Sequence, residues 1–166
     1  MTPPRVGIGW DQHRLDPGRT LVLGGVRFGE SPGLLGHSDG DVLVHAVCDA
    51  VLGALGLPDL GRLFPSDDPS LRGADSVGLL RDVALRMAAA GYRLGNLDAV
   101  VVAQEPRLAP RLDAMRERLA AALGCAPGSV NVKAKSPEGA GALGRSEAVA
   151  AHAVALLLPI EREPGR

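Results

Sequence analysis

The hydrophobic and polar positions of this chain follow two periods, one typical of helices and the other typical of strands. Four segments have the helical period, and the predicted helices begin at residues 38, 75, 110 and 146. Four other segments predict strands, which cover residues 6–10, 21–28, 96–104 and 130–134. The resulting order is β-β-α-α-β-α-β-α, which predicts an α+β fold with one mixed β-sheet and helices packed on one face.

A sheet covered by helices on one face needs burial for its other face. Aromatic side chains make up only 2% of the chain, so few large rings are available to cover that face. We therefore expect copies of the chain to associate through the uncovered sheet side.

Composition limits the possible functions. A length of 166 residues suits a single domain over residues 1–166, and two cysteines are too few for a disulfide framework. The net charge of −1 argues against a nucleic-acid-binding protein, because such proteins neutralise many phosphates. The longest apolar run, near residues 148–158, is too short to cross a membrane, and the N-terminus lacks the pattern of a signal peptide. We therefore expect a cytoplasmic protein.

Three polar residues in the first part of the chain form a candidate metal site. Asp11 and His13 follow the first predicted strand, and residues two apart in an extended segment point to the same side. His45 lies in the first predicted helix. One carboxylate and two imidazoles are a ligand set of catalytic zinc, with a fourth position open. Spacing alone leaves open that local hydrogen bonds hold these side chains, and His152 in the last predicted helix is interpreted as structural or surface.

The residues that precede His45 indicate an anion site. Ser38 is expected to cap the first predicted helix, with Asp41 in its third position, where Asp41 complements the helix dipole. Free backbone N–H groups at such a helix start bind anions. Because His45 rises from the same helix, a cation and a helix N-terminus converge, which indicates a phosphate or diphosphate ligand.

A second glycine-rich loop, over residues 135–141, follows the predicted strand at residues 130–134. It offers a cation in Lys135, a hydroxyl in Ser136 and a hard oxygen ligand in Glu138, of the kind that Mg²⁺ prefers beside phosphates. Arg145 can pair with a further phosphate oxygen.

These segments together resemble the 2-C-methyl-D-erythritol 2,4-cyclodiphosphate synthase family nearly from end to end. The resemblance rests on RVGIGWDQHRL at residues 5–15, HSDGDVLVH at 37–45, DAVLGA at 49–54, DLGRLFP at 59–65, GADS at 73–76, GYRLGN at 91–96 and NVKA at 131–134. Both the order and the spacing of these segments match.

The resemblance implies a cyclising phosphorus–oxygen lyase of the non-mevalonate isoprenoid pathway. Its substrate would be 4-diphosphocytidyl-2-C-methyl-D-erythritol 2-phosphate, whose 2-phosphate attacks the β-phosphorus, expels CMP and closes a cyclodiphosphate ring. Asp11, His13 and His45 match the ligands of one Zn²⁺ or similar ion per subunit. Glu138 matches the contact to Mg²⁺ or Mn²⁺ on the diphosphate. The family is a homotrimer with active sites between subunits.

The resemblance also implies catalytic and substrate-binding residues. His37 and Ser136 match the positions that stabilise the transition state. Asp59 and Gly61 match the ribose contacts, and residues 103–109 match the cytosine pocket. The full set of substrate contacts is Asp11, Gln12, His13, His37, Ser38, Asp59, Leu60, Gly61, Phe64, Ala103, Pro106, Arg107, Leu108, Ala109, Lys135, Ser136, Pro137, Glu138, Ala142 and Arg145.

The chain departs from the family pattern in three places. Pro137 removes a backbone donor from the second loop, Ala142 replaces an aromatic side chain, and Ser66 stands where an acidic residue is expected. Two other functions are compatible with the same residues. One is a metal-dependent phosphohydrolase with water as nucleophile, and the other is a non-catalytic trimer that binds nucleotides or isoprenoid diphosphates.

Overall fold

The computed structural model describes residues 2–161, so Met1 and residues 162–166 of the predicted domain lie outside the described residues. The five strands are β1 Arg5–Leu23, β2 Val26–Leu34, β3 Tyr92–Val102, β4 Val130–Lys135 and β5 Ala148–Pro159. The five α-helices are α1 Val42–Leu55, α2 Leu60–Leu63, α3 Ser76–Ala89, α4 Leu112–Leu123 and α5 Gly141–Gly144.

The strands form one mixed sheet in the order β2-β1-β5-β3-β4. β3 and β4 are parallel, and the other neighbouring pairs are antiparallel. The predicted α+β fold with a mixed sheet is therefore confirmed.

The last predicted helix, from Ser146, is wrong. Residues 148–159 form β5, which lies at the centre of the sheet between β1 and β3. Ala153 lies opposite both Gly9 of β1 and Ala99 of β3. The run of alanines suggested a helix because alanine has the highest helix propensity, but pairing with two neighbouring strands overrides that preference. His152 is exposed on this strand, which agrees with its interpretation as a surface residue but not with its predicted element.

The first hairpin also differs from the prediction. β1 continues past residue 10 to Leu23, and the chain then turns at Gly24 and Gly25, inside the predicted second strand. Both glycines have positive φ, 57° and 73°, which glycine adopts without strain. The tight turn therefore falls at the Gly-Gly pair, and β2 follows it.

Helix α1 begins later than predicted. Asp41 caps it by accepting a hydrogen bond from the backbone of Val44 at 3.1 Å, so Ser38 is not the cap and Asp41 is not in the third position. The predicted start of the second helix is confirmed, because Asp75 caps α3. The helix predicted from residue 110 is α4, which begins at Leu112 and ends at Gly124 with φ of 67°. The short helix α5 begins at Gly141, the last residue of the predicted loop at 135–141, and α2 lies between α1 and α3.

The two faces of the sheet are very different in burial. Gly7 and Gly9 of β1 lie directly against the backbone of α1, and Ala151, Ala153 and Ala155 of β5 are fully buried beside them. The alternate residues point to the opposite face, where Val6, Ile8, Trp10 and Val154 are 67%, 72%, 53% and 45% exposed. The predicted uncovered face is therefore present in the single chain. Within residues 2–161, no helix combines the length and hydropathy needed to cross a bilayer.

Candidate metal centre and substrate cavity

Strand β1 and helix α1 bring three candidate ligands to one point. Asp11 and His13 are two residues apart in β1, so both side chains lie on the side that α1 covers. His45 lies at the start of α1, directly above them. Asp11 Oδ2 is 2.8 Å from His13 Nε2 and 3.0 Å from His45 Nδ1, and the two imidazole nitrogens are 3.2 Å apart. The predicted convergence of Asp11, His13 and His45 is therefore confirmed as a cluster that could hold a divalent ion.

The position of the proton on His13 follows from its second contact. Its Nδ1 is hydrogen-bonded to the carbonyl oxygen of Leu35, which can only accept. Nδ1 must therefore carry a hydrogen, and in the neutral ring Nε2 presents a lone pair to Asp11. Two such acceptors 2.8 Å apart repel each other unless a proton or a metal cation lies between them.

The pKa shifts of Asp11 and His13 indicate that the cluster favours positive charge. Burial raises the pKa of the Asp11 carboxyl, but its hydrogen bonds to His13 and His45 outweigh burial and hold that pKa well below the usual value. Burial lowers the pKa of His13, but its hydrogen bond and attraction to Asp11 outweigh burial, and the pKa is raised above 6.5. The cluster therefore attracts a proton, and a divalent cation would satisfy the same atoms.

The donor set fits a catalytic metal ion. Zinc bound at about 2.0–2.1 Å by nitrogen and oxygen in a tetrahedron places its ligand atoms roughly 3.3 Å apart. The three atoms are 2.8–3.2 Å apart, so shifts of a few tenths of an ångström suffice. Three protein ligands leave the fourth position open, as in catalytic sites rather than structural ones.

The cluster lies in a cavity of about 250 Å³. Eight of the predicted site residues line it: Asp11, His13, His37, Ser38, His45, Leu60, Gly61 and Phe64. The side chain of Asp59 instead accepts a hydrogen bond from the backbone of Arg62 at 2.8 Å and caps α2. Gln12 alternates with Asp11 along β1 and is exposed on the opposite side of the strand.

The loop that carries His37 and Ser38 is held by hydrogen bonds from two other segments of the chain. The guanidinium of Arg19 donates to the carbonyl oxygen of Gly36 at 2.5 Å and to that of Ser38. The backbone of Gly73 donates to the carbonyl oxygen of His37 at 2.8 Å. The ring of His37 is itself hydrogen-bonded through Nε2 to the carbonyl oxygen of Asp68 at 3.0 Å.

The remaining predicted residues form a separate group at the end of β3 and β4. The backbone of Ala103 donates to the carbonyl oxygen of Lys135 at 3.1 Å, and that of Gly139 donates to the side chain of Gln104 at 3.1 Å. This second group comprises Ala103, Pro106, Arg107, Leu108, Ala109, Lys135, Ser136, Pro137, Glu138, Ala142 and Arg145. None of them lines the first cavity in the described chain.

Three members of the second group have notable local contacts. Glu138 is a non-glycine residue with φ of 53°, and its backbone N–H donates to Ser136 Oγ at 3.0 Å. Arg145, predicted to pair with a phosphate, is exposed and pairs with Glu147 at 2.6 Å. Pro106 and Arg107 border a second cavity of about 700 Å³.

Two residues at the metal cluster were not predicted. Asp49 lines the cavity one turn after His45 on α1, and the helical spacing of four could have indicated it. Burial raises the pKa of its carboxyl, although the backbone of Leu60 donates to it at 2.8 Å. Ser76, at the start of α3, contacts the ring of His45. No periodic signal could have indicated Ser76, because the contact joins two distant segments.

The sequence of the chain is similar to proteins of one family over most of its length. The YgbB family matches residues 4–158. The 2-C-methyl-D-erythritol 2,4-cyclodiphosphate synthase of Moorella thermoacetica is 56% identical over 161 residues, which cover 97% of this chain and 98% of that protein. The bifunctional enzyme IspD/IspF of an Anaeromyxobacter species is 56% identical over 158 residues, which cover 95% of this chain. The chain spans only 41% of the length of that bifunctional relative.

Solved structures agree with the sequence comparison. IspF of Plasmodium falciparum, in a CDP complex, matches with a TM-score of 0.84 at 34% identity, covering 97% of this chain and 99% of that chain. The resemblance to the cyclodiphosphate synthases is thereby confirmed, and the chain belongs to the YgbB family.

Proposed function

We propose that the chain is a cyclodiphosphate synthase that converts 4-diphosphocytidyl-2-C-methyl-D-erythritol 2-phosphate to 2-C-methyl-D-erythritol 2,4-cyclodiphosphate and CMP. The observation that carries this proposal is the convergence of Asp11, His13 and His45 on one point at a cavity. The names of the relatives and the CDP bound to the Plasmodium structure support the choice of substrate.

The proposed reaction needs neutralisation of charge more than it needs a base. The attacking 2-phosphate carries about −1.5 to −2 charges near neutral pH and is already a nucleophile. It must approach a diphosphate, and each pair of unit charges about 4 Å apart costs roughly 4 kcal/mol at an effective dielectric constant of 20. Both phosphate groups belong to one substrate molecule, so the attack is intramolecular. Holding them in line in one cavity supplies the orientation for which such systems gain about 7–11 kcal/mol.

We assign the metal at the cluster as Zn²⁺, held by Asp11, His13 and His45. Zinc would polarise an oxygen of the β-phosphate and offset its charge. The loop of His37 and Ser38 borders the same cavity and would orient the diphosphate there. Because Nε2 of His37 already contacts the carbonyl of Asp68, its Nδ1 is the atom available to a substrate oxygen.

The second group supplies the remaining roles. We assign Glu138 to the Mg²⁺ or Mn²⁺ on the diphosphate, because a carboxylate oxygen is a hard ligand. Ser136 offers a hydroxyl to the transition state, and Lys135 and Arg145 add positive charge. We assign residues 103–109 to the cytosine and Asp59 with Gly61 to the ribose.

We further propose a homotrimer whose active sites lie between subunits. The two groups of predicted site residues are separate in one chain, and in the proposed trimer a second copy would bring its second group to the first cavity. The exposed apolar side chains of β1 and β5 provide the surface for such an association.

Phosphorus NMR of the purified protein with the cytidylated substrate, Zn²⁺ and Mg²⁺ tests the reaction. We expect the resonances of a cyclic diphosphate together with CMP. Asp11→Asn is expected to lose the metal and reduce turnover by at least about 100-fold, as removal of a metal or its supporting shell does. Asp113→Asn is the matched control, because this aspartate is 85% exposed on α4 and remote from the cavity.

Two other results would contradict the proposal. A metal-dependent phosphohydrolase would release CMP while the 2-phosphate stays intact and no ring forms. A binding protein would retain CMP or isoprenoid diphosphates without any metal-dependent turnover.

A further inference from the structure

A chain of hydrogen bonds leads from His45 away from the cavity. Nε2 of His45 is 3.0 Å from Ser76 Oγ, and Ser76 Oγ is in turn hydrogen-bonded to Asp39 Oδ1. Ser76 is fully buried and is not among the residues that line the cavity, so it does not face the space available to a substrate. Any effect of Ser76 on the reaction must therefore run through His45 or through Ser38, which both line the cavity.

The direction of each hydrogen bond can be deduced from its donors and acceptors. The carboxylate of Asp39 accepts from two backbone N–H groups, Asp41 N at 3.2 Å and Ser76 N at 3.2 Å. As an acceptor, it takes the single hydroxyl hydrogen of Ser76. Ser76 Oγ can then only accept from the imidazole, so the 3.0 Å contact between Ser76 Oγ and Nε2 is a hydrogen bond only when Nε2 of His45 carries the hydrogen.

The contacts of the neighbouring Ser38 are consistent with donation from Nε2 of His45 to Ser76 Oγ. Ser38 Oγ accepts from the backbone of Gly40 at 3.2 Å and lies 3.3 Å from Ser76 Oγ. It is also 3.1 Å from Nε2 of His45, so it offers a second acceptor to the same imidazole N–H. Its own hydroxyl hydrogen can occupy the second lone pair of Ser76 Oγ. Every hydrogen in the group then has an acceptor, and Nδ1 of neutral His45 is left as a lone pair aimed at Asp11 and His13.

We propose that Ser76, oriented by Asp39, is a positioning residue that fixes the ring and tautomer of His45 so that Nδ1 faces the metal. This inference rests on the metal site proposed above and extends it to two residues outside the ligand set. Metal-binding histidines commonly donate their second N–H to a carboxylate or carbonyl, and loss of such a partner costs about 10- to 100-fold in metal affinity. Here a serine hydroxyl stands between the imidazole and the carboxylate.

A purely structural role for the same contacts makes a different prediction. Ser76 is the first residue of α3, and Asp39 accepts from its backbone, so the contacts also tie the loop at residues 36–40 to this helix. If these contacts only connected the loop to the helix, their loss would lower the stability of the fold and leave the tautomer of His45 unchanged. Asp75→Ala is the matched control, because Asp75 caps the same helix through Val77 N at 3.1 Å but does not contact His45.

The test measures zinc affinity and the tautomer of His45 separately. Protein stripped of metal is titrated with Zn²⁺ against a chromophoric chelator, and the tautomer is read from ¹⁵N NMR of the metal-free protein at about pH 8, above the ordinary histidine pKa of about 6.5. We expect His45 to be protonated at Nε2 in the wild type. Ser76→Ala is expected to weaken Zn²⁺ binding by about 10- to 100-fold and to give a mixture of tautomers. Ser76→Thr, which keeps the hydroxyl, is expected to restore both, and Asp75→Ala is expected to lower only the thermal midpoint.

Two results would overturn the role of Ser76. One is wild-type zinc affinity in folded Ser76→Ala, and the other is a wild-type His45 protonated at Nδ1. Zinc binding with the expected tautomers but without any cyclic product would instead refute the proposed reaction and support the positioning role.

Discussion

At the scale of single residues, Asp41 joins two parts of the structure that the metal site depends on. Its Oδ1 accepts from Gly24 N at 2.9 Å and Val44 N at 3.1 Å, and its Oδ2 accepts from Gly25 N at 2.7 Å. The fully buried carboxylate therefore fastens the tip of the β1–β2 hairpin to the start of α1. Because His13 comes from β1 and His45 from α1, this link also holds two candidate ligands in register.

Asp41→Asn tests that link. An amide has one acceptor oxygen, so its NH₂ group would face at least one backbone N–H, and a buried donor would lose its partner. We expect the free energy of unfolding to fall by about 1–3 kcal/mol, measured by urea denaturation. Asp75→Asn is the control, because asparagine caps an exposed helix start as well as aspartate does, and we expect a change within about 0.5 kcal/mol. Equal stability of wild type and Asp41→Asn would contradict the assigned role.

At the scale of elements, β1 and α1 pack so closely that Gly9 of β1 has no room for a side chain. A Cβ added to Gly9 would lie 1.9 Å from the carbonyl oxygen of Ala46 and 2.7 Å from the backbone nitrogen of Ala50. Both are backbone atoms of α1, so the helix itself would have to move. The same helix carries His45, and Gly9 is two residues from Asp11. The close approach of β1 and α1 therefore also sets the distance between the candidate ligands on these two elements.

Gly9→Ala is therefore expected to destabilise the chain by about 3 kcal/mol or more, the upper end of the cost of overpacking. Folded material is expected to bind zinc more weakly, because the ligands of β1 and α1 are pushed apart. Gly29→Ala in β2 is the control, since nothing lies within 4 Å of the added Cβ and a change within about 1 kcal/mol is expected. Calorimetric unfolding of both variants gives the comparison, and equal midpoints would show that α1 accommodates the methyl group.

The same close packing explains which elements could be predicted from the sequence. Helix α4 was recognised because its apolar period ends at Gly124, and β4 was recognised because its residues alternate strictly. β5 was not, because alanine occupies the positions facing α1, such as Ala151 and Ala153, as well as position 150. A small residue is required there by the nearness of α1, and that requirement is tertiary rather than local.

The candidate site shows the same division between local and tertiary information. The shared side of Asp11 and His13 follows from the alternation of a strand, and it could be predicted. The contact between Ser76 and His45 joins residues 31 positions apart, and it arises only when α3 packs beside α1. Sequence patterns indicated the candidate metal ligands, whereas the fold was needed to find the serine that we propose orients one of them.

At the scale of the whole molecule, the exposed sheet face and the separation of the two groups of predicted site residues both support the proposed association of copies. Val6, Ile8 and Trp10 alternate with residues that face α1, so a single strand supplies both the uncovered apolar surface and the metal ligands. Association through that surface would bury the apolar side chains, and we propose that it brings the second group of site residues of another copy toward the first cavity. The three candidate metal ligands, in contrast, all come from one chain.

Ile8→Glu separates these two properties. Ile8 is 72% exposed in the single chain, so a charged side chain there is compatible with folding, but burying it between copies would leave an unpaired charge. We expect light scattering to give the mass of a monomer, turnover to be lost, and zinc affinity to stay within about threefold of wild type, a difference of roughly 0.7 kcal/mol. Leu85→Glu is the control, because Leu85 is 69% exposed on α3 and lies away from the sheet face, and this variant should keep the mass of a trimer and its activity. A monomeric Ile8→Glu protein with full turnover would show that each active site is built from one chain, and an Ile8→Glu trimer would place the interface elsewhere.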